Sequence, residues 1–474
     1  MKRSRMCEGF FKRTQRELTY SLENRKKMII FPILIILSLY MFSLPLHVYA
    51  EYGFMKTLVN PDEEGETNFV FSLTLSNDFI FIGAYTTTVE DVLECGRVYV
   101  YDKNGDLIKA IEPEEPVEYD WFGYTLYSDI DHLLVTEGAS VDSLQGAIHT
   151  DFQGLVKVYD IQGNYKYTLE PPVFDLLGVY GYSTCILTDK IYVCQPGADT
   201  DYGENSGRVL EYDMEGNLVE SHYSDFVDDY RHFGANMVAD DEVIAVMEFP
   251  GSGFCYAIDG NVHVLDTDWN LIKYLENPSE QSPNEFGRAM TLSDDFIFIG
   301  DNFAPIEKFA NAGCIYIYTK DGEYVDTITS PEPSGGENFG KTMCIYDEKL
   351  FVGVPFNDDE MVDAGKVYVL DLQGELIEEI VSPEPVYKGF FGWKVVSDGD
   401  NVIIGELGEN RVHIFRDRYS SQNTAEQTET HTPAETVDEG NGSAIPGFPI
   451  WSISIGIIVF SYLYYSRKNL HFPH

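Results

Sequence analysis

Two short acidic segments carry the residue types best suited to binding chemistry. Clustered carboxylates can attract a cation, and an aromatic ring beside them can stack on a sugar ring. A tryptophan in a third segment adds a large aromatic surface. These features predict a binding face for a cationic or carbohydrate ligand, whereas the alternative is that they are solvated loops. The residues predicted to contact the ligand are Asp199, Asp201, Tyr202, Glu204, Asp358, Asp359, Glu360 and Trp121.

Metal binding has limited support in the sequence. Calcium takes about six to eight oxygen ligands, and short acidic turns such as Asp129-Ile130-Asp131 offer too few. The strongest candidate ligands are Asp199, Asp201 and Glu204. We therefore predict no required cofactor, with calcium at these three residues as the alternative.

Redox and catalytic motifs are scarce. Cys185 and Cys194 flank one hairpin, so they predict either a disulfide or two buried thiols on neighbouring strands. No Cys-x-x-Cys pair indicates a zinc or redox site, and the histidines are scattered without metal-ligand spacing. We therefore do not expect an enzyme.

A recurring Phe-Gly pair sets the organisation of the chain. Consecutive copies lie 52 to 58 residues apart, and each is followed by runs typical of four β-strands separated by turn residues. A fixed period of this length with four strands favours a β-propeller. Six copies begin at Phe122, Tyr180, Phe233, Phe286, Phe339 and Phe391, with tyrosine in place of phenylalanine at Tyr180, and a degenerate first copy lies at Phe69-Val70.

The two ends of the repeat array complement each other. The seventh copy, beginning at Phe391, has only three strands before the composition changes near Arg418. At the other end, Phe54–Pro61 resembles a fourth strand with no blade before it. We predict an all-β, seven-bladed propeller whose last blade is completed by the N-terminal strand, because closure removes an open sheet edge. The alternative is an open array of sheets.

The Phe-Gly pairs occur together with remnants of a Gly-Ala-Pro motif, such as Gly83-Ala84 and Gly353-Val354-Pro355. This combination, from Phe54 to Arg416, resembles the FG-GAP repeat of integrin α-subunit propellers and of many bacterial and archaeal surface proteins. The resemblance implies a propeller on the cell surface. It also implies calcium loops between the first two strands of a blade, but those turns are short here.

The charge of the chain narrows the choice of partners. Its formal net charge is -46. Such a surface disfavours nucleic acid, which needs cationic contacts to its phosphates. It suits cations, basic partners or solubility in salt.

The terminal segments predict a membrane-associated protein. Residues 1–27 are basic, residues 28–50 form an apolar signal peptide or signal anchor, and residues 51–418 form the propeller. Residues 419–445 are a Ser/Thr/Glu-rich stalk with an N-glycan acceptor pattern at Asn441, residues 446–466 an apolar membrane helix, and residues 467–474 a basic tail. The Pro446-Gly447-Phe448 triplet before that helix resembles the PGF-CTERM sorting signal of archaeal surface proteins.

These observations predict a membrane-anchored protein of the cell surface with an extracellular propeller. We expect adhesion or the recognition of an extracellular protein or glycan through the acidic loops. One alternative is an extracellular hydrolase or lyase with carboxylates at the channel mouth. Another is a structural component of the envelope.

Overall fold

Each Phe-Gly copy begins one four-stranded antiparallel sheet, and seven such sheets form a propeller. The computed structural model describes residues 51–62, 68–138, 154–173, 178–226, 228–251, 260–278 and 285–419. The predicted seven-bladed, all-β architecture is confirmed for this part of the chain. Its β-branched and aromatic runs form the strands, and hairpin turns with left-handed glycines connect them.

The strands fall into four sets by their position in the blade. The innermost strands are β2 (Phe69–Leu75), β6 (Leu126–Ser128), β10 (Thr184–Leu187), β14 (Asn236–Ala239), β18 (Met290–Leu292), β22 (Thr342–Tyr346) and β26 (Phe391–Ser397). The second strands are β3 (Phe79–Ala84), β7 (His132–Glu137), β11 (Lys190–Gln195), β15 (Val243–Glu248), β19 (Phe296–Asp301), β23 (Lys349–Val354) and β27 (Asn401–Glu406). The third strands are β4 (Arg97–Asp102), β8 (Leu155–Asp160), β12 (Arg208–Asp213), β16 (Asn261–Asp266), β20 (Cys314–Thr319), β24 (Lys366–Asp371) and β28 (Arg411–Asp417). The outermost strands are β5 (Leu107–Ile111), β9 (Tyr165–Leu169), β13 (Leu218–His222), β17 (Leu271–Glu276), β21 (Tyr324–Thr329), β25 (Leu376–Val381) and β1 (Tyr52–Val59).

The N-terminal strand closes the ring as predicted. Strand β1 pairs with β28 in an antiparallel ladder, with Phe54 opposite Phe415 and Leu58 opposite Val412. It forms the outer edge of blade 7, in the sheet order β1-β28-β27-β26. The innermost strands of blades 7 and 1, β26 and β2, also lie side by side, so the ring of inner strands is continuous.

The blades define two faces. The turn face carries the short hairpins between first and second strands and between third and fourth strands. The loop face carries the loops between second and third strands and the connections between blades. The inner strands therefore begin at the loop face and surround a central channel.

The terminal predictions lie outside the described residues. These are the signal segment, the stalk, Asn441 and the C-terminal helix. Within the described residues the one helix is a short 3-10 turn, Leu407–Glu409. No helix in this described part of the chain has the length and hydropathy needed to cross a bilayer.

The Phe-Gly pair joins each blade to the one before it. Phe339 is fully buried, and its backbone N–H donates to the carbonyl of Ala312 in the preceding blade at 2.8 Å. Gly340 follows with φ +83°, a left-handed conformation that glycine adopts at no steric cost. The pair thus seats a large side chain between blades and turns the chain into the next inner strand.

Replacing Gly340 by alanine should therefore destabilise the propeller by about 1–3 kcal/mol, from the left-handed strain and a clash. A Cβ here would lie 2.9 Å from the carbonyl oxygen of Cys314. Gly335 is the matched control, since its nearest heavy atom to an added Cβ is 3.7 Å away. Urea unfolding of G340A and G335A measures the difference; equal midpoints would contradict this role.

Candidate functional site

The fold distributes the predicted ligand residues over three blades. Residues 199–204 lie in the loop between β11 and β12 of blade 3, and residues 358–360 lie between β23 and β24 of blade 6. Trp121 lies in the connection between blades 1 and 2. All three segments reach the loop face, but blades 3 and 6 are not neighbours in the ring.

Several of these carboxylates bind the backbone of their own loops. Asp199 Oδ1 accepts a hydrogen bond from the Asn205 N–H at 2.8 Å. Asp358 Oδ1 accepts one from the Asp363 N–H, also at 2.8 Å. Asp359 forms an ion pair with Lys366 at 2.5 Å. These contacts give the acidic residues a structural role in holding the loops.

The described residues contain no group of three or more His, Cys, Asp or Glu side chains arranged to hold a metal ion. Asp199, Asp201 and Glu204 therefore do not converge on a common point. The backbone N–H of Glu204 donates to Asp229 Oδ1 at 2.9 Å, which ties this segment to the next blade connection.

Trp121 belongs to a packed aromatic cluster. Only 9% of its surface is exposed, and its indole N–H donates to Glu94 Oε2 at 3.3 Å. Its ring lies 5.3 Å from Tyr85 and is stacked on Tyr124 at 6.2 Å. Tyr202, by contrast, is 42% exposed and contacts Tyr223 at 4.9 Å between ring centroids.

Cys185 and Cys194 are free thiols in this structure, as in the second of the two alternatives given by the sequence. Both are buried in one hydrophobic cluster. Cys185 lies opposite Tyr192 in the ladder, which makes Cys194 its diagonal neighbour. Diagonal neighbours are about 7–8 Å apart, beyond the Cα separation that most disulfides span.

The buried histidines of the third strands are structural. His263 pairs with Glu248 at 3.0 Å, and His413 pairs with Glu406 at 2.7 Å. An arginine completes each pair, as Arg411 does for Glu406 at 3.1 Å. These contacts position the carboxylates at the ends of the second strands of blades 4 and 7.

Sequence reasoning missed a cluster of three cationic residues in the central channel. Arg288, Lys341 and Lys394 belong to the inner segments of blades 5, 6 and 7. Each lies one or two residues after a Phe-Gly pair, at the loop-face end of the channel. None of the three forms an ion pair of 4.0 Å or less with a described carboxylate.

The contacts of these cations are with aromatic rings and with each other. Lys341 Nζ lies 4.8 Å from the ring centroid of Trp393. Arg288 of blade 5 interacts electrostatically with Tyr182 of blade 3. Glu285 supplies the nearby negative charge, acting on both Arg288 and Lys341. Three positive charges thus face one described carboxylate, a local excess of two.

The electrostatics of the site disfavour the positive charge of its two lysines, whereas interactions with Tyr182 and Glu285 raise the pKa of Arg288. Burial among protein atoms, together with repulsion from Lys341 and Arg288, lowers the pKa of Lys394 to about 8. Burial and repulsion from Arg288 also lower the pKa of Lys341, against the opposing effect of Glu285. An anion placed among these groups would relieve both penalties.

Aromatic rings form the other side of this chamber. At the position directly after the Phe-Gly pair, blades 7, 1, 2 and 3 carry an aromatic residue where blades 5 and 6 carry Arg288 and Lys341. Phe71 and Tyr124 are in contact at 4.9 Å between centroids. We call this arrangement the channel chamber; its residues are Phe71, Tyr124, Tyr182, Arg288, Lys341, Trp393 and Lys394.

The channel continues from the chamber to the turn face as a cavity of about 1580 Å³. Met237, Met290 and Met343 line its middle. Carboxylates surround its turn-face end, including Asp240, which forms an ion pair with Lys320. The two ends of the channel therefore differ in charge.

No family model matches the chain, and none of the curated proteins matches it. The resemblances to FG-GAP repeats and to a PGF-CTERM segment therefore rest on the sequence motifs alone.

Proposed function

We propose that this chain is a binding protein of the cell surface that recognises an anionic saccharide in the channel chamber. The binding role and the surface location are those expected from the sequence. The proposed ligand site differs, because it lies in the channel and not in the acidic loops around it. The observation that carries the proposal is the group of three cations, Arg288, Lys341 and Lys394, in a chain of net charge -46.

The cost of this cluster supports a ligand. Like charges that are close together and partly desolvated destabilise a fold unless something compensates them. The chain has many more acidic than basic residues, yet the described residues near the cluster supply only Glu285. A bound carboxylate or sulfate would supply the missing charge.

The aromatic side of the chamber supports a saccharide over a bare inorganic ion. Tyr124, Tyr182 and Trp393 present rings beside the cations, and aromatic rings pack well against the C–H face of a sugar. Acidic sugars combine that face with a carboxylate. The acidic loops outside the chamber would slow the approach of large polyanions, which favours the end of a chain or a short oligomer.

A thermal melt of the full-length chain tests the proposal, using trigalacturonate as the anionic probe and a neutral galactose trisaccharide as its isostere at constant ionic strength. At a hundred times its Kd, trigalacturonate should raise the Tm by about 2–5 °C. Lys341→Met should remove most of that shift. Lys273→Met is the matched control, because this lysine lies on an outer strand and pairs with Glu323 at 3.2 Å.

Two results would contradict the proposal. One is the absence of a shift with both trigalacturonate and sulfate. The other is a trigalacturonate-induced shift that is unchanged in Lys341→Met, which would show that the cations contribute nothing to recognition.

A further inference from the structure

One interface between blades departs from the repeat pattern at three positions that meet in space. Between blades 3 and 4 these positions hold Glu211, His222 and Trp269. Glu211 stands in the middle of the third strand, where the other repeats have Val100, Val158, Val264, Ile317, Val369 and Ile414. His222 stands on the outer strand, where the others have Leu58, Ile111, Leu169, Leu275, Ile328 and Ile380. Trp269 stands in the hairpin between third and fourth strands, where others have Gly105, Gly163, Gly216, Gly322 and Gly374.

At the other interfaces, which we call the sister interfaces, the hairpin glycine of one blade lies against the outer-strand Leu or Ile of the blade before it. A Cβ on Gly163 would lie 2.7 Å from Ile111, and one on Gly374 would lie 3.0 Å from Ile328. At the exceptional interface, Trp269 takes the glycine position with φ +64°. A bulky residue in this left-handed region is an outlier, and such outliers concentrate at functional sites.

The three replacements form one polar group inside the interface. The rings of His222 and Trp269 are stacked with centroids 3.8 Å apart and planes within 3°. His222 Nε2 lies 2.9 Å from Glu211 Oε2, and Lys190 Nζ lies 2.7 Å from Glu211 Oε1. A buried Glu–His pair has thus replaced the apolar packing of the sister interfaces, which by itself offers no gain in stability.

The charge states of this group are set by these contacts. Burial alone would raise the pKa of Glu211, but the hydrogen bonds from Lys190 and His222 lower it. Burial lowers the pKa of His222, although Glu211 opposes that effect. At neutral pH the group therefore consists of a charged lysine, a charged glutamate and a neutral histidine.

A cleft of about 530 Å³ opens over this group. Its volume lies in the range of small-molecule sites, about 300–1,000 Å³. The exposed ring of Tyr202 and its neighbour Tyr223 form one wall. Glu220, Asp225 and Asp268 add exposed carboxylates around it.

We infer that this cleft between blades 3 and 4 is a binding site for a neutral saccharide. The tyrosine rings offer a surface for the C–H face of a sugar, and the carboxylates accept hydrogen bonds from its hydroxyl groups. The surplus of carboxylates repels anions, so the ligand class differs from that of the channel chamber. The inference does not depend on the function proposed for the chamber.

Isothermal titration of the full-length chain against maltose, cellobiose, lactose and mannobiose at millimolar concentration tests the inference. We expect saturable binding of at least one of them, and this binding should persist in Lys341→Met, whereas binding of digalacturonate should not. Tyr202→Ala should raise the Kd of that saccharide by about 10-fold, because it removes one stacking contact. Tyr165→Ala is the matched control, because Tyr165 is 43% exposed on the outer strand of blade 2, away from the cleft.

A triple variant separates binding from folding. Glu211→Val, His222→Leu and Trp269→Gly together install the residues of the sister interfaces, so the variant should fold at least as well as the natural chain and lose saccharide binding. The inference is overturned if none of the four neutral disaccharides binds. It is also overturned if binding survives in the triple variant, or if digalacturonate binds in the cleft as well as they do.

Discussion

Replacing Lys394 by methionine should make the free protein more stable at neutral pH while removing its response to anions. Lys394 lies in the channel with no carboxylate partner among the described residues, and burial together with repulsion from Lys341 and Arg288 lowers its pKa to about 8 from an ordinary value of 10.5. One pKa unit corresponds to about 1.4 kcal/mol, and channel water screens part of the effect, so we expect a gain of about 1–3 kcal/mol. Methionine keeps most of the side-chain length without the charge.

The pH dependence of that gain follows from linkage. Between pH 8 and 10.5 the unfolded chain binds more protons at Lys394 than the folded chain, so the natural protein gains stability as the pH rises through this window. The advantage of K394M should therefore be complete below pH 8 and disappear towards pH 10.5. Urea unfolding of both proteins at pH 7 and at pH 10 measures it.

The conservative variant K394R provides the control for this prediction. Arginine keeps its charge at all these pH values, so K394R should retain the trigalacturonate-induced rise in Tm and should lose the pH-dependent gain in stability. A less stable K394M, or one that still responds to trigalacturonate, would contradict the assignment of Lys394 to the ligand.

The fold could be predicted because its signals are periodic. The Phe-Gly copies indicate the blades, and the resemblance of Phe54–Pro61 to a fourth strand identifies it as the missing strand of blade 7. The copies reflect backbone requirements, namely a buried ring at all seven blade junctions and a left-handed glycine at six of them. Because these requirements recur along the chain, a single sequence reveals them.

The candidate sites could not be predicted in the same way because they depend on departures from the repeat. Arg288, Lys341 and Lys394 are far apart in sequence and lie together only because the inner strands form a ring. Superposing the seven repeats would have shown cations on three successive blades. The sequence instead predicts ligand binding at the acidic segments, although Asp199 and Asp358 bind backbone N–H groups of their own loops. A run of acids looks the same in sequence whether it binds a ligand or a backbone N–H.

The largest loss of stability should come from a charge placed in the closing strand. Leu58 is 3% exposed and packs into the cluster formed with Ile403, Val412 and Ile414 between blades 7 and 1. Leu58→Asp would bury a carboxylate without a partner and leave a cavity, a cost of about 3–5 kcal/mol. Because β1 also holds blade 7 against blade 1, we expect the ring to open at this seam.

Val59→Asp is the matched control because Val59 is the next residue of the same strand, pairs with Arg411 in the same ladder and is 61% exposed. Its effect should stay within about 0.5 kcal/mol, as for most surface substitutions. Urea unfolding, together with limited proteolysis of residues 51–62, measures both variants. Since protonation removes the buried charge, L58D should recover part of its stability near pH 5, whereas V59D should not. Equal losses in the two variants would show that β1 does not close the ring through Leu58.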